Sequence, residues 1–281
     1  MRKSIQLLLT DNLQLIKNYF MPLNMKLDTG YVNSSDMRYL LGIGYVNRSD
    51  LLVKAVTSVS DLWKNVVVID NSPSGSLQTE ALLPEAVSVY TPPVPLTLPQ
   101  TMNLLHRMAA ERNCDAVLFM HNDAEAGAGT PNQLLKRLNN LQSTGTRWGA
   151  VTAVDNALSA YNMAAVRAVG PWDTVFPHYL ADHDYLRRLK LSGYEVIQSD
   201  LPVHHHNNGG NTIKSNVHLK EMNDLNLPLY ETYYNDKWGG KVGAEQYSLL
   251  FNQFPLNPVP DYLAFVDPEN KELMINGSIH S

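Results

Sequence analysis

The sequence predicts an α/β protein with a mainly parallel central sheet covered by helices on both faces. Three observations lead there. Short apolar runs of strand length alternate with segments whose apolar residues recur at helical spacing. Each run stops in a cluster of Asp, Asn, Gly or Ser, residues that end strands and open turns. Strands apolar on both faces belong to sheets covered on both sides, and such sheets are characteristically parallel.

The elements follow in order. Tyr39 to Tyr45 is a buried strand. Ser49 is expected to cap a helix with Asp50 in its first turn and Leu51, Leu52, Ala55, Val56 and Val59 on one face. Val66 to Ile69 is a second strand ending at Asp70-Asn71-Ser72-Pro73-Ser74-Gly75. After the proline-rich stretch from Thr91 to Pro99, Met102, Leu105, Met108 and Ala109 form another helical stripe. Ala116 to Met120 is a strand that stops at His121-Asn122-Asp123. Pro131 suits the first turn of a helix whose Leu134, Leu135, Leu138 and Leu141 face one way, and Trp148 to Val154 is a further strand. A helix over Asp182 to Ser192 buries Tyr185, Leu186 and Leu189 and stops at Gly193. Leu201-Pro202-Val203 is a short strand leading into His204-His205-His206. The expected organisation is an N-terminal extension over 1–37 with a helix around Leu7 to Phe20, a core over 38–210, and a C-terminal extension over 211–281. That last segment should hold two short helices and an irregular end after Phe254, packed on the core.

Composition removes several classes of function. The 281 residues are 44% hydrophobic and 17% charged, yet no run approaches the roughly 18 to 20 apolar residues of a membrane span. The apolar part of Met1 to Thr10 is only Leu7 to Leu9, shorter than the core of a signal peptide, so export is not expected. Cys114 is the one cysteine, which permits no internal disulfide and fits a reducing compartment, most simply the cytoplasm. Lys and Arg number 22 against 27 Asp and Glu, a net charge of -5 that disfavours nonspecific binding to nucleic acid or anionic lipid.

In parallel sheets ligands bind beyond the carboxyl ends of the strands, so the polar clusters after Ile43, Ile69 and Met120 converge on one crevice. Three acidic loops stand out: Asp70-Asn71, His121-Asn122-Asp123-Ala124-Glu125 and Asp182-His183-Asp184. Each has a functional reading, a divalent cation or polar ligand held by a strand-end carboxylate. Each also has a plain one: Asp and Asn end strands by bonding local backbone, Asp182 can cap its helix, and Asp184 can sit favourably in the first turn. In an extended strand His204 and His206 point to one side and His205 to the other. An imidazole joined to Asp123 makes a mixed nitrogen and oxygen site that favours Mn or a transition ion over Mg.

Taken together these pieces resemble the family-2 inverting glycosyltransferases of the GT-A (Rossmann-like) fold, which move a sugar from a nucleotide diphosphate carrier to an acceptor. The resemblance covers roughly residues 38–210: Gly44-Tyr45-Val46-Asn47-Arg48, Val66 through Ser72, Leu118-Phe119-Met120-His121-Asn122-Asp123 in the place of Asp-X-Asp, and Ala181-Asp182-His183-Asp184 through Leu189 with Gly193-Tyr194. The resemblance implies a nucleotide site at Tyr45, Asn47, Arg48, Asp70, Asn71 and Asn122, with Asp70 accepting hydrogen bonds from the base, most often uracil. It implies Mg or Mn on Asp123, completed by His204 or His206, and Asp182 as the general base. Arg188 would pair with phosphate or with Asp184, and Trp172-Asp173 would border the acceptor. Tyr233-Tyr234-Asn235-Asp236-Lys237-Trp238-Gly239-Gly240 is similar to a segment in the tails of some bacterial and phage members.

His121 stands where the motif's first acid usually is, and Ala181 where an acid usually precedes the base, leaving Asp123 with Glu125 as helper and Asp182 intact. The donor expected from the resemblance is a UDP-sugar, and the acceptor a glycan, lipid-linked glycan or other hydroxyl compound. A nucleic-acid acceptor is not favoured by the charge. Two competing readings stand beside this one: a metal-dependent hydrolase built on Asp182, Asp184, His204 and His206, and a nucleotide-sugar binding module without catalysis.

Overall fold

The computed structural model describes residues 37–252 apart from 74, 76 and 78–81, so the helix expected around Leu7 to Phe20 and the irregular end after Phe254 lie outside the described residues. The order is β1 Tyr39–Tyr45, α1 Ser49–Ser58, β2 Val66–Asp70, β3 Ser88–Tyr90, α2 Leu98–Glu111, β4 Ala116–His121, β5 Ala124–Ala126, α3 Thr130–Ser143 and β6 Trp148–Thr152. It continues with β7 Leu158–Asn162, α4 Met163–Val169, α5 Ala181–Leu191, β8 Glu195–Gln198, β9 Val203–His205, α6 Asn211–Lys214 and α7 Val217–Trp238. Among the described residues no helix is long and apolar enough to cross a membrane.

Among the described residues seven strands form one sheet in the order β3-β2-β1-β4-β7-β6-β8, while β5 and β9 make a separate antiparallel ribbon. The sheet is α/β and mainly parallel, as expected, with β7 alone antiparallel to its neighbours β4 and β6. The apolar run predicts that β6 extends to Val154. The strand instead ends at Thr152, because Val154–Asn156 forms a tight 3-10 turn with Asp155 at φ 50° and Asn156 at φ 54°, and the chain returns as β7.

Alternation along the strands feeds two apolar layers. Leu41, Ile43, Val66, Val68, Leu118 and Met120 pack with Leu52 and Val56 of α1 and Leu134 and Leu138 of α3 on one face. Leu40, Val67, Ile69, Val117 and Phe119 pack with Met102 and Leu105 of α2 and with α4 and α5 on the other. Burial of such side chains contributes about 1.5 to 3 kcal/mol each, which is why the helices cover both faces. Gly42 in β1 is needed for this contact, since a Cβ there would lie 2.2 Å from Leu105 Cδ1.

Two helix starts differ from expectation. Arg48, at φ 64°, occupies the cap position of α1 without a side-chain cap, and its guanidinium instead grips Asp50 at 2.7 and 2.8 Å. α5 begins at Ala181 after Leu180 at φ 70°, so Asp182 lies inside the first turn and does not cap it. Beyond residue 210 the chain forms the four-residue α6 and one 22-residue helix, α7, in place of two short ones. α7 continues through Pro228 and is anchored at its last turn, where Tyr234, Lys237 and Trp238 are buried.

Candidate active site

The parallel strands β1, β2 and β4 point their carboxyl ends the same way, and a cavity of about 350 Å3 opens there. Asn71 enters it from the end of β2, His121 to Asp123 from the end of β4, Asp155 and Asn156 from the β6–β7 turn, and Asp182 from the head of α5. His205 of β9 and Gly209 to Lys214 close it from the other side of the sequence.

Asp123 is the centre of one polar cluster. It is 3% exposed, its Oδ1 lies 3.2 Å from His205 Nε2, and its Oδ2 accepts from the backbone N–H and the side-chain amide of Asn211 at 3.0 and 2.8 Å. Burial pushes the Asp123 carboxyl up, but the His205 and Asn211 hydrogen bonds, with help from His121, outweigh it and hold the group well below the usual carboxylate range. Burial, reinforced by His205, pulls the His121 imidazolium down to about 4, so this ring is neutral near pH 7 and keeps a lone pair for a ligand. One donor atom from each of His121, Asp123 and His205 lies within 4.8 Å of the others, a set that could hold a divalent cation. Gly209 makes room for it: its φ is 73°, and a Cβ there would lie 2.4 Å from His205 Cε1.

The histidine parity corrects the expectation that His204 and His206 join Asp123. β9 pairs with β5 so that His205 faces Ala124 and His204 faces Glu125. The side of the ribbon toward the cavity therefore takes His205. The chain then bends into a 3-10 turn at His206–Asn208, and His206 Nε2 goes to Glu125 Oε2 at 2.9 Å while its backbone N–H bonds the Asp123 carbonyl at 3.0 Å.

Asp182 lines the cavity, and its Oδ2 accepts from Asn156 Nδ2 at 2.7 Å while Oδ1 accepts from the His183 N–H at 2.9 Å. Asp184 is separated from it by about 200° around a helix of 3.6 residues per turn, and it faces the core instead. It is 0% exposed and bound by Arg188 at 3.0 Å, Lys237 at 2.7 Å and Trp238 Nε1 at 3.0 Å. Arg188, which also donates to the carbonyls of Val169 and Pro171, is thus a core ion-pair partner and not a phosphate ligand. The hydrolase set of Asp182, Asp184, His204 and His206 is not assembled, because Asp184 lies in the core and His204 on the outer face of the ribbon.

The residues expected at the nucleotide divide in two. Asn71 and Asn122 line the cavity. Asn47 and Arg48 hold the later loop instead: Asn47 Nδ2 donates to the Thr212 carbonyl at 2.9 Å, and Arg48 reaches Ser215 Oγ at 3.3 Å. Tyr45 is buried, with its carbonyl accepting from Asn71 N–H at 2.7 Å. Asp70 follows the plain reading of a strand-ending acid: it is buried and accepts from the N–H and hydroxyl of Ser72 and the N–H of Leu77.

Of the acceptor-side pair, Trp172 lines the cavity, while Asp173 takes Lys237 at 2.6 Å and the Tyr233 hydroxyl at 2.9 Å. That explains much of the Tyr233 to Trp238 motif, which fastens α7 under α5 and the Trp172 segment. Asn156, Gly209 and Asn211 are not singled out by the sequence. Their signal was the turn composition Asp155-Asn156 and Asn207-Asn208-Gly209-Gly210-Asn211, which marks bends without saying what they hold.

No protein-family model and no curated protein sequence matches the chain. Among solved structures it is similar to a mannosyltransferase from Pyrobaculum calidifontis in complex with GDP-Man and Mn2+, at 17% identity over 68% of this chain with a TM-score of 0.44. The chain spans 61% of that mannosyltransferase's length. It is also similar to glucosyl-3-phosphoglycerate synthase from Mycobacterium tuberculosis in complex with Mn2+, UDP and phosphoglyceric acid, at 15% identity over 61% of this chain and 71% of that one, with a TM-score of 0.47.

Proposed function

We propose that the chain is a glycosyltransferase that moves a sugar from a nucleoside diphosphate donor, a UDP-sugar by the motif resemblance, to an acceptor hydroxyl with inversion. The observation that carries this reading is one cavity, at the carboxyl ends of parallel strands, lined by both the His121, Asp123 and His205 set and the carboxylate of Asp182.

Two imidazoles and one carboxylate fit Mn2+ or a later transition ion better than Mg2+. A divalent ion held there supplies Lewis-acid stabilisation of charge on the departing diphosphate. Asp182, with Oδ2 fixed by Asn156, accepts the proton of the acceptor hydroxyl as that oxygen bonds the anomeric carbon and the bond from that carbon to the diphosphate oxygen breaks. A single displacement inverts the anomeric centre. Lys214, bonded to the carbonyls of Asn207 and Gly209, has three N–H groups and lines the same cavity, which suits it to a phosphate oxygen. Tyr179, which is exposed at the cavity, offers a ring face for a sugar, consistent with a glycan or lipid-linked glycan as acceptor, while Trp172 is stacked on Tyr185 and backs the cavity wall.

Thermal shift and calorimetry with UDP-, GDP- and dTDP-sugars, with and without Mn2+, test this on the natural chain, Asp123→Ala and Asp182→Ala. The expected result is stabilisation by one nucleotide that needs metal, is lost in Asp123→Ala and is kept in Asp182→Ala. Release of nucleoside diphosphate in the presence of acceptor separates an enzyme from a binding module. Tight metal binding with no nucleotide response would overturn the assignment.

A further inference from the structure

The outer face of the β5–β9 ribbon carries three donor side chains that the cavity does not use. Glu125 and His204 are direct partners in the antiparallel register, and directly opposed residues share one face of a ribbon. His204 and His206 flank the inward His205, and their rings meet edge to face with centroids 4.5 Å apart. His206 Nε2 already lies 2.9 Å from Glu125 Oε2. The side chains of His206 and Glu125 are 17% and 43% exposed, so solvent and ions reach them.

We propose that Glu125, His204 and His206 form a second cation site, separate from the cavity set, that takes Zn2+ or a similar borderline transition ion. The chemistry of the donors selects the ion: imidazole suits Zn, Cu and Ni, whereas Mg2+ and Ca2+ prefer all-oxygen ligands. Three protein donors leave a position for water in a tetrahedral zinc shell. Binding exchanges the His206–Glu125 hydrogen bond for two bonds to the ion, and rotation of the exposed His204 side chain brings in the third donor. The ribbon sets the backbone positions, because the register holds Glu125 opposite His204, and the donor atoms then turn toward the ion. An ion here also clamps the segment that carries His205 into the cavity and whose His206 N–H bonds the Asp123 carbonyl. The outer site needs no nucleotide and stands whether or not the chain transfers sugar.

Isothermal titration with Zn2+ alone, on the full chain, tests this. The natural chain is expected to bind two Zn2+, Asp123→Ala one, and Asp123→Ala combined with His204→Ala and His206→Ala none, with circular dichroism confirming each fold. Where Asp123→Ala unfolds, His121→Ala silences the cavity set in its place. Glu125→Gln is expected to weaken the outer Zn2+ and leave the cavity one unchanged. A single Zn2+ on the natural chain that disappears with Asp123→Ala, or a remaining Zn2+ that survives loss of both His204 and His206, would overturn the proposal.

Discussion

His106 gives the account a quantitative test in the core behind the cavity. It lies on α2, is 6% exposed, and sits 6.0 Å from the Tyr161 ring and 5.8 Å from the Tyr185 ring. Among the described residues neither of its ring nitrogens has a hydrogen-bond partner. Burial, with the Arg188 charge adding to it, pulls the imidazolium from 6.5 down to about 3. Between those values the unfolded chain binds a proton at this residue and the folded chain does not, so the residue's contribution to stability falls as pH drops through 6.5. At pH 4, about 2.5 units below the unfolded value, the loss is about 3 kcal/mol at roughly 1.36 kcal/mol per unit, and it levels off below pH 3. Replacing the ring by an apolar side chain in His106→Leu removes this proton linkage. Urea unfolding of both proteins from pH 7 to pH 4 measures it. Repacking sets a fixed difference at pH 7, and the difference should then move by about 3 kcal/mol in favour of His106→Leu by pH 4. Parallel pH slopes for the two proteins would refute the reasoning.

Other substitutions separate support of the fold from work at the site. Asp184→Asn leaves Lys237 and Arg188 buried without their shared carboxylate and should cost about 3 to 5 kcal/mol in chemical denaturation. Asp182→Asn, on the same helix but in the cavity, should abolish sugar transfer while keeping nucleotide binding, which product assay and calorimetry read together. Asn211→Ala removes one of the two bonds Asn211 gives to Asp123 and should weaken Mn2+ binding by about 10- to 100-fold, the usual effect of losing a group that holds a metal ligand. Gly209→Ala forces a Cβ into His205 at 2.4 Å in a left-handed backbone position, so metal titration and thermal melting should both show a loss.

The parts legible in the sequence were those fixed by local pattern. The strands β1, β2 and β4 are near-continuous apolar runs, and their polar ends mark the cavity because a parallel sheet sends them to the same edge. β7 is not legible because Leu158-Ser159-Ala160-Tyr161-Asn162 is short and mixes apolar with polar side chains, and its place is set by antiparallel pairing with β6 across the turn and with the distant β4. The alternation of the three histidines is legible, but which side meets the cavity is not, because that depends on the register of a three-residue strand against β5. Asp182 and Asp184 look alike in sequence. Their roles diverge only when helix geometry turns one into the cavity and the other onto Lys237, a residue far along the chain. The helices expected beyond residue 210 are short, whereas α7 runs for 22 residues and tolerates the donor missing at Pro228 along an exposed stretch.

The most direct test of the central claim is the anomalous scattering of Mn2+ in crystals of the chain grown with Mn2+ and UDP. The account predicts one peak within bonding distance of His121, Asp123 and His205, with the UDP diphosphate against it and Asp182 free of metal. A cavity without a peak, or a peak on Asp182 in place of Asp123, would contradict it.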